Sequence, residues 1–163
     1  MFLTTRRLAL IATIGLAVSA CGVVDSGKAA PQANFKTLSG KTFDTASLKG
    51  QVTLVNFWAT SCTTCVKEMP MLVDTYNALA PKGYRTIAVA MSYDEASFLA
   101  PFVESRKISF DVVFDADGSI AKAFEGTKLT PTSYLIDKQG NIAKRYVGEI
   151  KEAELKQAIS ALL

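Results

Sequence analysis

The stretch "NFWATSCTTCVKEMP" (residues 56–70) decides how this chain is read, because it holds two of the three cysteines, Cys62 and Cys65, three positions apart. An apolar, β-branched run, "QVTLVNFWA", leads into it from Gly50, as expected of a strand buried on both faces. Beyond it Val66, Met69, Leu72, Val73, Tyr76, Leu79 and Ala80 recur at steps of three and four, which is one helical stripe. Pro81 and Gly83 end that helix. The cysteine pair therefore falls where a buried strand hands over to a helix.

Three kinds of chemistry use such a pair. A structural zinc site needs four ligands, and the chain offers neither a second cysteine pair nor any histidine. A purely structural disulfide suits an exported protein, but closing so short a loop removes little chain entropy and stabilises weakly. Redox exchange is the reading that the position supports. Cys62 at a helix N-terminus meets unpaired backbone N–H groups and the positive end of the dipole, which stabilise a thiolate. The thiolate is the species that attacks a disulfide.

Outward from this segment the chain alternates strands and helices. "YRTIAVAMS" (residues 84–92) reads as a second central strand, and residues 94–107 as a helix with Phe98, Phe102 and Val103 inward, where Pro101 implies a kink or a late start. "FDVVFD" is a short strand and "SIAKAF" a short helix. "TSYLID" and "NIAKRYV" around "KQG" predict an antiparallel hairpin, and "KEAELKQAISALL" a final helix. "FKTLSGKTFDTASLKG" predicts an N-terminal hairpin or extended arm. The pattern is α/β, a mixed central sheet flanked by helices. With 163 residues, 49% of them hydrophobic, the chain buries one core, so residues 35–163 read as one domain and as a monomer.

The N-terminus reads as a targeting segment. "MFLTTRR" is a basic leader, and "LALIATIGLAVSA" (residues 8–20) is an apolar run shorter than the roughly 20 residues that span a bilayer. Residues 1–20 are thus expected to be a signal peptide. "GVVDSGKAAPQAN" has no periodicity, and residues 21–34 read as a flexible tether with a reach of roughly 20 Å. Formal charge is +3, and without Arg6 and Arg7 it falls to +1, leaving no basic patch for nucleic acid.

Taken in order, "LVNFWATSCTTC", Pro70, "TPT" (residues 130–132) and "YLIDKQGNI" resemble the thioredoxin superfamily, and within it the TlpA/ResA-like group of membrane-tethered thiol-disulfide oxidoreductases. The resemblance covers residues 35–160 and implies a thioredoxin-like fold with no cofactor and no metal. It implies that Cys62 is the exposed nucleophile and Cys65 the more buried resolving thiol, the two forming the redox-active disulfide. Pro131 would be a cis-proline facing them, and the backbone of Thr130 would bond an extended substrate segment. Trp58 would line the rim of the site. Glu68 stands where the family has a glutamate that accepts the proton of the second cysteine. Physically, a carboxylate near two thiols in a partly dry pocket is raised in pKa and raises theirs.

Four positions depart from the relatives. Asn56 replaces thioredoxin's buried aspartate, Ser61 stands where tryptophan is frequent, and Thr63-Thr64 lacks the usual proline. "VSAC" resembles a bacterial lipobox, which implies lipid attachment at Cys21; Gly22 after it permits an outer-membrane location.

The function expected is an envelope protein, facing the periplasm or cell exterior, that reduces protein disulfides, as in cytochrome c maturation or copper-site assembly. It would be recharged by a membrane electron donor or exchange partner. The alternative is a copper(I)-binding or delivery lipoprotein, since two thiolates suit copper(I) and Met69, Met71 and Met91 carry thioethers. A peroxidase reading ranks lower, because peroxiredoxins share the fold but not this cysteine setting.

Overall fold

The computed structural model describes residues 27–163. The expected signal peptide, Cys21 and Gly22 lie outside them. In chain order the elements are strands β1 (Lys28–Ala29), β2 (Asn34–Lys36), β3 (Thr42–Asp44) and β4 (Val52–Trp58), then helix α1 (Thr63–Leu79). Next come β5 (Tyr84–Ala90), α2 (Ala96–Ser105), β6 (Asp111–Phe114) and α3 (Ser119–Ala123). Last are β7 (Thr132–Ile136), β8 (Asn141–Val147) and α4 (Glu152–Leu162).

A six-stranded sheet runs β1-β8-β7-β4-β5-β6, and β2-β3 forms a separate hairpin. β4 lies near its centre, parallel to β5 and antiparallel to β7. All seven of its residues are buried, as its unbroken apolar run predicts for a strand covered on both faces. Alternate side chains feed two cores. Leu54 and Trp58 join Met69, Leu72, Leu99, Leu155 and Ile159 beneath α1, α2 and α4. Val55 and Phe57 join Phe35, Leu48 and Phe124 beneath the β2-β3 hairpin and α3. This is the expected thioredoxin-like architecture with its N-terminal hairpin.

Three details differ from the sequence reading. The helix expected at residues 94–107 begins at Ala96, so its inward stripe falls on Leu99, Phe102 and Val103. Phe98, expected inward, is 60% exposed. Residues 28–34, assigned to the tether, belong to the fold. β1 pairs with β8, Ala30 N–H donates to Gly140 O at 2.9 Å, and Thr45 Oγ1 donates to Pro31 O at 2.9 Å. The physical reason is an edge: β8 without β1 would leave a row of backbone groups unpaired.

Pro70 lies inside α1. It removes one backbone hydrogen bond, a cost of about 3 kcal/mol in a helix interior. Met69 and Leu72, both buried, contribute about 1.5–3 kcal/mol each by leaving water, so packing outweighs the break.

Candidate active site

The first turn of α1 follows directly from β4. Cys62 is its N-cap, with extended backbone (φ −88°, ψ 100°), and its Sγ accepts a hydrogen bond from the Cys65 N–H at 3.2 Å. A sulfur therefore occupies the place that a serine or aspartate oxygen takes at other helix starts. Cys62 and Cys65 are joined in a disulfide, their Cα atoms 5.2 Å apart. Cys62 is half-buried and Cys65 fully buried. Of the two sulfur-bearing residues, Cys62 is thus the more accessible to solvent.

The turn before the pair is fixed by its neighbours. Cys62 N–H donates to Ala59 O at 3.1 Å. Thr60 gives both its N–H (2.7 Å) and its hydroxyl (2.5 Å) to the carboxylate of Asp94. The register Phe57↔Thr132 sets Thr130 and Pro131 alongside the residues that follow β4, at the cysteine end of the sheet. The Thr130–Pro131 peptide bond is cis, as the resemblance implied, and Pro131 O accepts from Gly148 N–H at 2.8 Å.

Glu68 is only 2% exposed, so it is no solvated first-turn acid. Its Oε1 accepts the Ile150 N–H at 2.7 Å, while Oε2 has no hydrogen-bond partner among the described residues. Burial pushes its pKa from 4.5 to about 7. The Ile150 hydrogen bond opposes that rise, the nearby charge of Glu149 adds to it, and Asn56 opposes it weakly. Asn56, on the same face of β4 as Trp58, donates through Nδ2 to Ser133 Oγ at 2.9 Å, and its own Oδ1 is also unpartnered. A proton on Oε2 turns an unsatisfied buried acceptor into a donor, so the neutral acid suits this pocket better than the carboxylate. A cavity of about 560 Å³, lined by Lys67, Glu68, Met71, Glu149 and neighbours on the β8–α4 loop, lies beside that residue.

Trp58 is not on the rim. It is fully buried, with its ring centroid 5.0 Å from that of Phe102. The strand carries it into the core because its side chain points to the face that α1 and α2 cover, so it supports the cysteines from beneath. The methionines of the copper reading are divided: Met69 packs in the core under α1, and Met91 in the core on the opposite face of the sheet. Met71 packs against the same core as Met69, on the cysteine side, so the three thioethers do not share one core.

Sequence reasoning missed Asp94, Ser133 and Ile150. Asp94 in "SYDEAS" carried a signal, an acid just before a helix, but that signal points to a cap rather than to Thr60, 34 positions away. Ile150 acts through its backbone N–H, which leaves no trace in residue type.

Comparison with known proteins agrees with this geometry. The family model described as Redoxin matches residues 25–162. Thiol-disulfide oxidoreductase ResA of Bacillus thuringiensis is 33% identical over 140 residues, covering 85% of this chain and 79% of that protein. The solution structure of a thioredoxin-type protein from Neisseria meningitidis superposes with a TM-score of 0.77 at 42% identity, covering 85% of this chain and 91% of that one. StoA from Bacillus subtilis superposes with a TM-score of 0.69 at 26% identity, covering 81% and 98%. With a half-exposed cysteine capping α1, a buried partner one turn on and a cis-proline beside them, the chain belongs to the redoxin family, as a ResA-like thiol-disulfide oxidoreductase of the thioredoxin superfamily.

Proposed function

We propose that this protein reduces disulfides or mixed disulfides of other proteins in the bacterial cell envelope, held to a membrane by a lipid on Cys21. The observation that supports dithiol exchange is the buried carboxyl of Glu68 one turn beyond a buried Cys65, and the reductive direction follows the ResA-like resemblance. A reductant must deprotonate its second thiol away from water, and a carboxyl titrating at about 7 is matched to that task.

In the reduced protein the Cys62 thiolate attacks one sulfur of the substrate disulfide. A Cys62–substrate bond forms, the substrate bond breaks, and one substrate thiolate leaves and takes a proton. Cys65 then passes its proton to the Glu68 carboxylate and attacks Cys62 Sγ. The mixed disulfide breaks, the second substrate thiolate leaves, and Cys62–Cys65 closes. Two electrons have moved to the substrate, and the proton on Glu68 leaves through the cavity beside it. A membrane electron donor or thiol partner restores the dithiol by the reverse exchange. Apocytochrome c and copper-site proteins are the substrate classes that the ResA-like resemblance suggests.

The test is the reduction potential of the Cys62–Cys65 pair in glutathione buffers, read by thiol alkylation. A value below roughly −220 mV supports a reductant, and one near about −120 mV makes the protein an oxidant and overturns the direction. Radiolabelled palmitate on the wild-type chain and not on Cys21→Ala tests the anchor.

A further inference from the structure

The loop between β5 and α2 touches the site twice, through consecutive residues. Asp94, 9% exposed, accepts the N–H and hydroxyl of Thr60, two residues before Cys62, and also the Glu95 N–H at 3.0 Å. Its own N–H donates to Met91 O at 2.9 Å, so the backbone that carries the carboxylate is fixed as well. Tyr93 shares a hydrogen bond with Thr130 Oγ1 at 3.1 Å, and Thr130 directly precedes the cis-proline. One loop thus grips the cysteine turn with one side chain and the proline turn with the next.

Chemistry distinguishes the two grips. A carboxylate taking two donors from one residue fixes that residue's backbone, and through the Ala59–Cys62 turn it fixes the sulfur over the first N–H groups of α1. Tyr93 is 58% exposed although its hydroxyl is tied. A large ring held at its tip offers preformed apolar surface at little entropic cost. Tyr93 also lines a cavity of about 380 Å³ with Met91, Ala121, Lys122, Thr127 and Lys128.

We propose that Tyr93 and Asp94 form a third segment of the site, in which Asp94 positions the Cys62 turn through Thr60 and the ring of Tyr93 contacts the polypeptide that flanks the substrate's cysteine. This rests on the oxidoreductase reading above, and its first half can be tested without turnover.

The experiment uses the full-length chain, reduced, and two measurements. The first is the rate of Cys62 alkylation by iodoacetamide at neutral pH. Thr60→Val keeps the side-chain shape and deletes one donor to Asp94; it slows alkylation about fivefold as the sulfur loses thiolate character, and Thr60→Ser restores the wild-type rate. A Thr60→Val chain that melts earlier but alkylates at the wild-type rate makes Asp94 a structural residue and overturns the positioning role. The second is the ratio of rate constants for reducing a short disulfide-bonded peptide and hydroxyethyl disulfide. Tyr93→Ala lowers that ratio about tenfold, the effect of one lost aromatic contact, and Tyr93→Phe lowers it less. A ratio that Tyr93→Ala leaves in place overturns the substrate contact. A wild-type chain that reduces neither disulfide defeats the functional reading and the Tyr93 contact with it, while the alkylation result still decides Asp94.

Discussion

On the face of the sheet covered by the β2-β3 hairpin and α3, buried polar groups are largely partnered. Asp115 accepts the N–H groups of Ile120 (3.0 Å) and Ala121 (2.8 Å), and Tyr134 donates to Phe124 O at 3.1 Å. Thr45 Oγ1 accepts from Ala33 and donates to Pro31. On the face covered by α1, α2 and α4, Asn56 Oδ1, Trp58 Nε1, Glu68 Oε2 and the Tyr146 hydroxyl have no partner among the described residues. Each such group costs about 1–3 kcal/mol. The first face is a scaffold whose polar atoms serve the fold, and the second, which carries the cysteine pair, holds most of the unsatisfied groups. Thr53 is the exception, an unpartnered hydroxyl on the scaffold side of β4.

This contrast can be tested by substitution, and the cysteines give the largest effect. Cys65→Ser leaves the attacking sulfur but removes the one that releases substrate, so the mixed disulfide accumulates and turnover stops, which intact-mass measurement after substrate addition will show. A Cys65→Ser chain that turns over like wild type would break the assignment of roles. Next comes Phe124→Ala on the scaffold face. Phe124 is fully buried between Phe57 and Tyr134, and losing it costs about 3–5 kcal/mol of stability. The reduction potential of the folded fraction should hold, and a large change in it would show that the two faces are not separable.

Glu68→Gln moves stability the other way. The folded-state pKa of about 7 lies above the ordinary 4.5. The folded chain therefore holds this proton more tightly, and stability falls as pH rises from about 4.5 to about 7 and is level above that. Ionising the buried acid costs about 3 kcal/mol by pH 8. Oxidised Glu68→Gln should therefore melt higher than wild type at pH 8 and close to it at pH 4, while exchanging thiols more slowly. Equal melting shifts at both pH values would mean that ionisation of the buried carboxyl is not what lowers stability at pH 8. The smallest effect belongs to Thr53→Val, which removes the scaffold's unpartnered hydroxyl at constant shape and should raise stability by about 1 kcal/mol in urea unfolding, with exchange rates held.

Much of this was legible in the sequence. The apolar run of β4 and the stripe of α1 are local patterns, and the two cysteines between them mark the strand-to-helix turn where a thiolate is stabilised. Family-level motifs added Pro131 and Glu68, which the pattern of apolar residues alone does not single out. The misreadings have separate causes. Phe98 was set inward and Leu99 overlooked because a helix start displaced by two residues rotates the inward stripe. Trp58 was placed on the rim by the resemblance, and alternation in a strand buried on both faces could not correct it, since it does not say which elements cover which face. Residues 28–34 looked like tether because two residues of edge pairing carry no periodicity.

By itself, the sequence determined the fold class and the redox pair, since hydrophobic period and motif spacing are properties of neighbours along the chain. Only the tertiary structure decided the rest. It brought Ile150 N–H to Glu68 across 82 positions, closed a dry pocket that raises the carboxyl, and set Asp94 on Thr60 and Tyr93 on Thr130. Those effects depend on burial and on hydrogen bonds between distant segments, and neither exists until the sheet has assembled.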